Sequence, residues 1–468
     1  MGKGQQSELG TRPVGMLLFK LAVPCILAQL VNMLYNIVDR IFIGNIPNIG
    51  SDALTGVGVT FPVIVLISAF SSLIGMGGSP RTSIAMGEGR NDDAEKILTN
   101  CFVSLILISV ALTVFFSVFN EPLLMRFGAD SDTIGYASDY LGIYVLGTIF
   151  VQISLGMNGF ITAQGKAGFA MATVCIGAII NIILDPILIF GFDMGVKGAA
   201  IATVCSQMVS AIWVVIFFNS KNTILRLRKE YLKPELKVIM PCVALGLSPF
   251  VMQSTESLLS ITFNISLLKY GGKTAVGAMT IIASLGQILS LPLMGLAQGN
   301  QPILGYNYGA SNAERMKKSV RLTATTAIIF STLFWLATML IPRQMASLFN
   351  SEDAILLEKT VWAMKIYFAV GFVSGIQSTF QQSFVALGEA KISLFLALLR
   401  KIILLIPLIL ILPNFFEDKV FAVFLAEPIA DFLAAATTAT FFAFRFKKIL
   451  KQTREKAQKG TISIKKGE

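Results

Sequence analysis

The chain is polar to about position 15 and then alternates long apolar runs with short polar interruptions. The runs fall at 16–44, 53–80, 97–119, 134–161, 167–191, 197–218, 238–268, 275–304, 319–341, 357–385, 391–412 and 419–444. At about 1.5 Å per helical residue, each can cross a hydrocarbon layer about 30 Å thick. In lipid every backbone polar group must be satisfied within the protein, so the pattern predicts an all-α polytopic membrane protein with twelve transmembrane helices.

The polar interruptions add organisation. A basic stretch at 219–237, with Lys221, Arg226, Arg228, Lys229, Lys233 and Lys237, divides a first lobe at 16–218 from a second at 238–444. A segment at 1–15 precedes the first lobe, and a basic tail at 445–468 follows the second. With both termini cytoplasmic, most of the 38 Lys and Arg residues fall in cytoplasmic loops and termini, as the positive-inside rule requires. The polar start lacks a small-residue cleavage site, which predicts a retained cytoplasmic N-terminus rather than a signal peptide.

The lobes echo each other. Gly75 to Pro80, Gly87 and Ala94-Glu95-Lys96 recur as Gly295 to Pro302, Gly309 and Ala313-Glu314-Arg315, with the prolines and the later glycines each 222 residues apart. Gln164-Gly165-Lys166-Ala167 recurs as Leu387-Gly388-Glu389-Ala390. Six helices separate equivalent points, so the halves share one orientation, and the expected form is two pseudo-symmetric six-helix bundles related by an axis along the membrane normal. Helices 1, 2, 7 and 8 are expected to line a cleft between them.

Composition then excludes several function classes. The net charge of +11 follows from the loops and tail, not from a nucleic-acid surface. Five cysteines lie singly in apolar runs and histidine is absent, so zinc chemistry and a histidine proton relay are both missing. Gly272-Lys273-Thr274 imitates the end of a phosphate loop, but Leu267 stands where the earlier glycine belongs. No nucleophile elbow is present, so an enzyme is not expected.

What remains is a set of polar residues inside apolar runs. An aspartate at the centre of a membrane helix costs about 2.5 to 3.5 kcal/mol, which demands a compensating role. Asp185 sits in Asn181-Ile-Ile-Leu-Asp185-Pro186, where the i, i+4 spacing puts amide and carboxylate on one face. Asp39 near the end of the first run, Asp185 in the fifth and Thr203 near the start of the sixth all fall about 8 to 9 Å below the external surface. Asn181 lies one turn deeper. Two carboxylates, an amide and a hydroxyl are hard oxygen ligands suited to Na+, and two adjacent carboxylates can also share a proton. The second lobe carries Glu256, Gln287, Arg400, Lys401, Glu427 and Asp431 instead. Opposite charges at similar depth predict that Arg400 pairs with Asp431 or Glu427, while Glu256, Gln287, Arg400 and Asp431 are candidates for coupling or substrate contact.

Leu34-Tyr35-Asn36-Ile37-Val38-Asp39, Gln164-Gly165, Asn181-Ile-Ile-Leu-Asp185-Pro186 and Gly198-Ala199-Ala200-Ile201-Ala202-Thr203 together resemble the multidrug and toxic compound extrusion (MATE) family, over essentially the whole chain and with the tone of its MepA-like branch. The resemblance implies two six-helix lobes alternating between outward-open and inward-open forms. A Na+ or H+ gradient would drive export of amphipathic, often cationic compounds. It implies a first-lobe cation site at Asp39, Asn181, Asp185 and Thr203, and matches Glu256 to a membrane glutamate used by some branches. The chain departs from the pattern in having Arg40 directly after Asp39. No cofactor beyond the coupling ion is implied, and a monomer in contact with membrane lipids is expected. The alternative reading is a lipid-linked oligosaccharide flippase of the same superfamily, which would need a strongly cationic cavity.

Overall fold

A computed structural model describes residues 8–220, 223–349 and 353–465. Lys221 of the linker, the first seven residues and the last three lie outside these. Apart from its loops the described chain is helical.

In the first half the membrane-length elements are α1 (Val14–Gly44), α2 (Gly50–Gly87), α3 (Asn91–Val118), α4 (Ile134–Leu146 with Thr148–Ala163), α5 (Ala167–Pro186) and α6 (Gly195–Asn219). The two pieces of α4 meet at 59°, so its apolar run is one bent span rather than a straight rod. In the second half a single stretch, Leu236–Gly309, contains two spans. Gly272 breaks it with φ of 65°, a left-handed conformation that a side chain would strain, giving α7 over 236–271 and α8 over 273–309. There follow α9 (Ala313–Leu340), α10 (Ala354–Tyr367 and Ser374–Ala386 joined by the 3-10 turn Gly371–Val373), α11 (Ala390–Leu398 running on through Leu399–Leu405 to Ile406–Ile411) and α12 (Lys419–Lys465). Nine helices pass tests of length and hydropathy as single elements among the described residues, and the bent α4 makes ten. Dividing α7 from α8 and joining the halves of α10 recovers the twelve apolar runs.

The fifth helix of each half is distorted in the same manner. After Pro186 the chain widens into a π-helical turn, Ile187–Gly191, and α11 does so over Leu399–Leu405 just before Pro407. Proline has no N–H to give the carbonyl four residues back, so the helix ladder is already interrupted at both places. In α3 only a third of the most apolar window is buried, while Leu107, Val110, Val114 and Val118 stand exposed along it. Such a continuous apolar exterior is what a lipid-facing helix requires.

Contacts divide the chain into two compact units, one spanning Lys20–Phe250 and the other joining the residues before Lys20 to those from Val251 onward. The unit boundaries therefore fall within α1 and α7. Each unit clasps a segment distant in sequence. In the first, Gln164 Oε1 accepts from Thr223 Oγ1 at 2.9 Å, Ile224 N at 2.7 Å and Leu225 N at 3.0 Å. Glu95 accepts from Arg226 N at 2.9 Å and Arg228 Nε at 2.6 Å, and raises the Arg228 guanidinium above its ordinary pKa. Close helix contact supports this arrangement: a Cβ on Gly77 of α2 would lie 2.0 Å from the Cys242 carbonyl of α7. In the second unit, Asn307 Nδ2 donates to the Leu9 carbonyl at 3.1 Å, and Arg315 Nη2 donates to the carbonyls of Leu9 at 2.9 Å and Arg12 at 2.7 Å.

Candidate cation site in the first half

Three helices of one unit build this site. Asp39 stands near the end of α1, and Asn181 and Asp185 stand one turn apart on α5, immediately before the π-helical turn. Thr203 comes from the third turn of α6. The side chains of Asp39 and Asp185 face each other within hydrogen-bonding reach. Asn181 Nδ2 donates to Asp185 Oδ1 at 3.2 Å and to Thr203 Oγ1 at 3.5 Å. The structure therefore brings together all four residues selected by depth in the sequence. They are 9, 1, 0 and 7% exposed for Asp39, Asn181, Asp185 and Thr203, so bulk water does not solvate the carboxylates.

Hydrogen bonding within the site is incomplete in an informative way. Asp39 Oδ1, Asn181 Oδ1 and Asp185 Oδ2 are all buried, and none has a partner among the described residues. All three atoms are acceptors. A buried acceptor without a donor is costly, so the cluster is chemically suited to a cation or a proton. Arg40 does not fill the gap with a salt bridge. It is exposed and holds its guanidinium 5.2 Å from the centroid of the Phe61 ring.

Tyrosines surround the carboxylates. Tyr35 lies one turn before Asp39 and interacts with both aspartates, while Tyr140 of α4 is within hydrogen-bonding reach of Thr203 and stacks on Tyr144 with ring centroids 6.3 Å apart. Sequence reasoning did not single out Tyr140. Its signal was the spacing Tyr136, Tyr140, Tyr144, a polar aromatic edge along one helix face.

The second half holds a different group. Arg400 Nε donates to Asp431 Oδ1 at 2.7 Å and Arg400 Nη2 to Glu427 Oε1 at 3.4 Å, so the expected pairing forms with both acids of α12. Lys401 Nζ donates to the Met252 carbonyl at 2.8 Å and pairs with Glu256, both on α7. Glu256 is 70% exposed at its side chain and Lys401 9%. Gln287, on α8, is exposed and does not take part in this group.

Comparisons with known proteins agree with this architecture. The MatE family profile matches residues 24–187 and again 249–411, once in each half. The multidrug export protein MepA of Staphylococcus haemolyticus is 26% identical over 415 residues, covering 88% of this chain and 90% of that protein. The MATE multidrug transporter DinF-BH, solved as a complex, superposes with a TM-score of 0.87 at 36% identity, covering 96% of this chain and 99% of that one. An outward-facing multidrug resistance MATE transporter of the MOP superfamily gives 0.88 at 21% identity, covering 96% of this chain and all of that one, and so shares the fold. A family match that spans both halves, on a multi-pass helical membrane fold, places this chain in the MATE family of transporters.

Proposed function

We propose that this protein is a cation-coupled antiporter of the cell membrane, exporting amphipathic, often cationic organic compounds in exchange for Na+ or H+. The observation that carries this reading is the trio of buried, partnerless oxygens on Asp39, Asn181 and Asp185. Two carboxylates side by side in a dry setting repel unless a cation or proton lies between them. Asp39, Asp185, the Asn181 amide oxygen and the Thr203 hydroxyl supply hard oxygen ligands to a Na+, or the two carboxylates share a proton.

Binding and release of that charge would bias the conformation. α1, α5 and α6 each contribute a ligand, so an occupied site draws three helices together and an empty one lets the carboxylates push apart. Ion and drug then need no direct contact: each favours a different state, and exchange follows from the linkage. The π-helical turn beside Asp185 gives α5 a place to yield. The names of the relatives, multidrug export proteins and a multidrug transporter, support an organic substrate. Loop charge supports a cytoplasmic side for both termini, and a monomer is our reading of its working form.

The flippase alternative calls for cationic side chains free to hold a pyrophosphate. Arg400 and Lys401 are engaged by Glu427, Asp431 and Glu256, which argues against it. The test is efflux of a fluorescent aromatic cation from proteoliposomes with Na+ and pH gradients imposed separately. One gradient is expected to drive export and Asp185→Asn to abolish it. Export indifferent to both gradients would sink the proposal.

A further inference from the structure

The same three helices of each half, α1, α5 and α6 and then α7, α11 and α12, carry the polar residues of the two groups, Thr203 being the uncharged contribution of α6. Their polar accounts differ. In the first half two carboxylates meet, and among the described residues no protein cation joins them in a salt bridge. In the second half three carboxylates, Glu256, Glu427 and Asp431, meet Lys401 and Arg400.

Sequence position links the two groups. Pro24-Cys25 of α1 and Pro241-Cys242 of α7 are 217 residues apart, and so are Asp39 and Glu256. Asn181 precedes Ile182-Ile183-Leu184, and Lys401 precedes Ile402-Ile403-Leu404. An independent ruler comes from hydrogen bonds between helices: Asn158 Nδ2 donates to the Ala170 carbonyl and Gln381 Nε2 to the Ser393 carbonyl, both donor and acceptor being 223 residues apart. By that measure Lys401 lies three residues, about one turn, nearer the start of its helix than the counterpart of Asn181. On either count a lysine of the fifth helix reaches the acid of the first helix, where the other half places two facing carboxylates.

We propose that the second half is a cation site whose cation is built into the protein. Lys401 Nζ and the Arg400 guanidinium supply the positive charges that the first half takes from solution, and Lys401, by occupying Glu256 and the Met252 carbonyl, keeps the second half from loading an ion. Lys401 therefore sets the number of ions moved per substrate. This rests on the first-half coupling site proposed above. Replacing the lysine with a neutral residue would free the Glu256 carboxylate and the Met252 carbonyl, both hard oxygen ligands, to take Na+ or a proton from the medium.

The experiment measures the ion-to-substrate ratio in proteoliposomes from the gradient that just balances a tetraphenylphosphonium gradient, with Na+ and pH varied separately. For Lys401→Asn the ratio is expected to rise by one ion, whereas Lys401→Arg keeps the wild-type ratio. Glu256→Gln, which leaves Lys401 and the first-half site in place, is expected to keep the wild-type ratio as well, and it tests the idea even where Lys401→Asn yields no folded protein. An unchanged ratio in folded Lys401→Asn, or a ratio lowered by one in Glu256→Gln, would overturn the inference. Failure of the first-half reading looks different: wild-type coupling would then survive Asp39→Asn and Asp185→Asn.

Discussion

Carboxylates stand within membrane helices of both halves, yet among the described residues the facing pair in the first half has no salt bridge to a protein cation, whereas those of the second half do. Asp39 and Asp185 face each other with bare oxygens, and the amide oxygen of Asn181 beside them is bare as well. Glu427 and Asp431 share Arg400, and Glu256 has Lys401. Glu427 does keep one bare oxygen, Oε2, but its other oxygen already accepts from a guanidinium. The acids of both halves lie on membrane helices, Asp39 and Glu256 on the first helix of each half, Asp185 on the fifth and Glu427 and Asp431 on the sixth. What separates them is whether the protein supplies the countercharge. A paired acid holds helices together; an unpaired one fits the ion-binding role proposed above.

The largest expected effect belongs to the unpaired acids. Asp39→Asn and Asp185→Asn each remove one of the only two carboxylates among the four site residues. Gradient-driven export is expected to fall at least about 100-fold in either variant, since an ion site stripped of half its charge loses several kcal/mol of attraction. The protein should still fold, because an amide fits the space and no protein cation loses its partner. Purified variants with normal melting temperatures and dead transport would meet this expectation. Full activity in either would move coupling out of the first half.

Arg400 is the reverse case. Arg400→Met leaves Glu427 and Asp431 buried without their cation, and breaking such a pair typically costs about 3 to 5 kcal/mol. The expected result is a lower melting temperature and poor yield. The combination Arg400→Met with Glu427→Gln and Asp431→Asn should recover much of the loss, since replacing all partners is far cheaper than stranding some. If Arg400→Met instead folded normally and lost only transport, the second-half group would be working machinery and its contrast with the first half would fail.

Much of this was legible in the sequence. Depth alone selected Asp39, Asn181, Asp185 and Thr203, because a polar residue within an apolar run is expensive and so meaningful. The Arg400 pairing followed from opposite charge at similar depth. The partner of Glu256 did not follow, because a one-dimensional ruler gives depth but not direction around a helix, and the π-helical turn at Leu399–Leu405 shifts that direction further. Gln287, expected as a coupling or substrate contact, is exposed and has no bond to the group among the described residues. Tyr140 was missed because a tyrosine in an apolar run costs little and raises no alarm. The bend in α4 and the break in α10 were invisible since hydropathy registers neither a change of axis nor an interruption, whereas Gly272 with its positive φ lies in the short polar break between two runs, where a turn belongs.

A smaller effect is expected at the clasp of the first unit. Gln164 takes two backbone N–H groups and a hydroxyl at once, and in Gln164→Leu the two N–H groups lose their acceptor while the Thr223 hydroxyl keeps the Leu225 carbonyl. An unsatisfied buried donor costs about 1 to 3 kcal/mol, so the variant should melt several degrees lower. Amide hydrogen exchange at Ile224 and Leu225 should accelerate relative to wild type while coupling stays intact. Unchanged exchange there would mean that the linker is held by Glu95 and Asn100 instead, through Arg226, Arg228 and Glu235.

The smallest effect is the one that checks the ruler itself. Asn158 donates to the Ala170 carbonyl at 3.0 Å and Gln381 to the Ser393 carbonyl at 2.8 Å, each bond tying the fourth helix of its half to the fifth. Hydrogen bonds between helices in lipid average about 0.6 kcal/mol, because the unfolded chain in the membrane also finds partners. Asn158→Leu and Gln381→Leu are therefore each expected to lower stability by no more than about 1 kcal/mol, by closely similar amounts, and to leave export unchanged. Matching losses would mean that the halves keep one scaffold while their charged groups have parted ways, so that the lysine in α11 is a local substitution on a common frame. If Gln381→Leu cost several times more than Asn158→Leu, the frame itself would have diverged. The 223-residue ruler would then lose its authority for placing Lys401 one turn from the counterpart of Asn181, and the case for a built-in cation would have to rest on the Lys401–Glu256 pair alone.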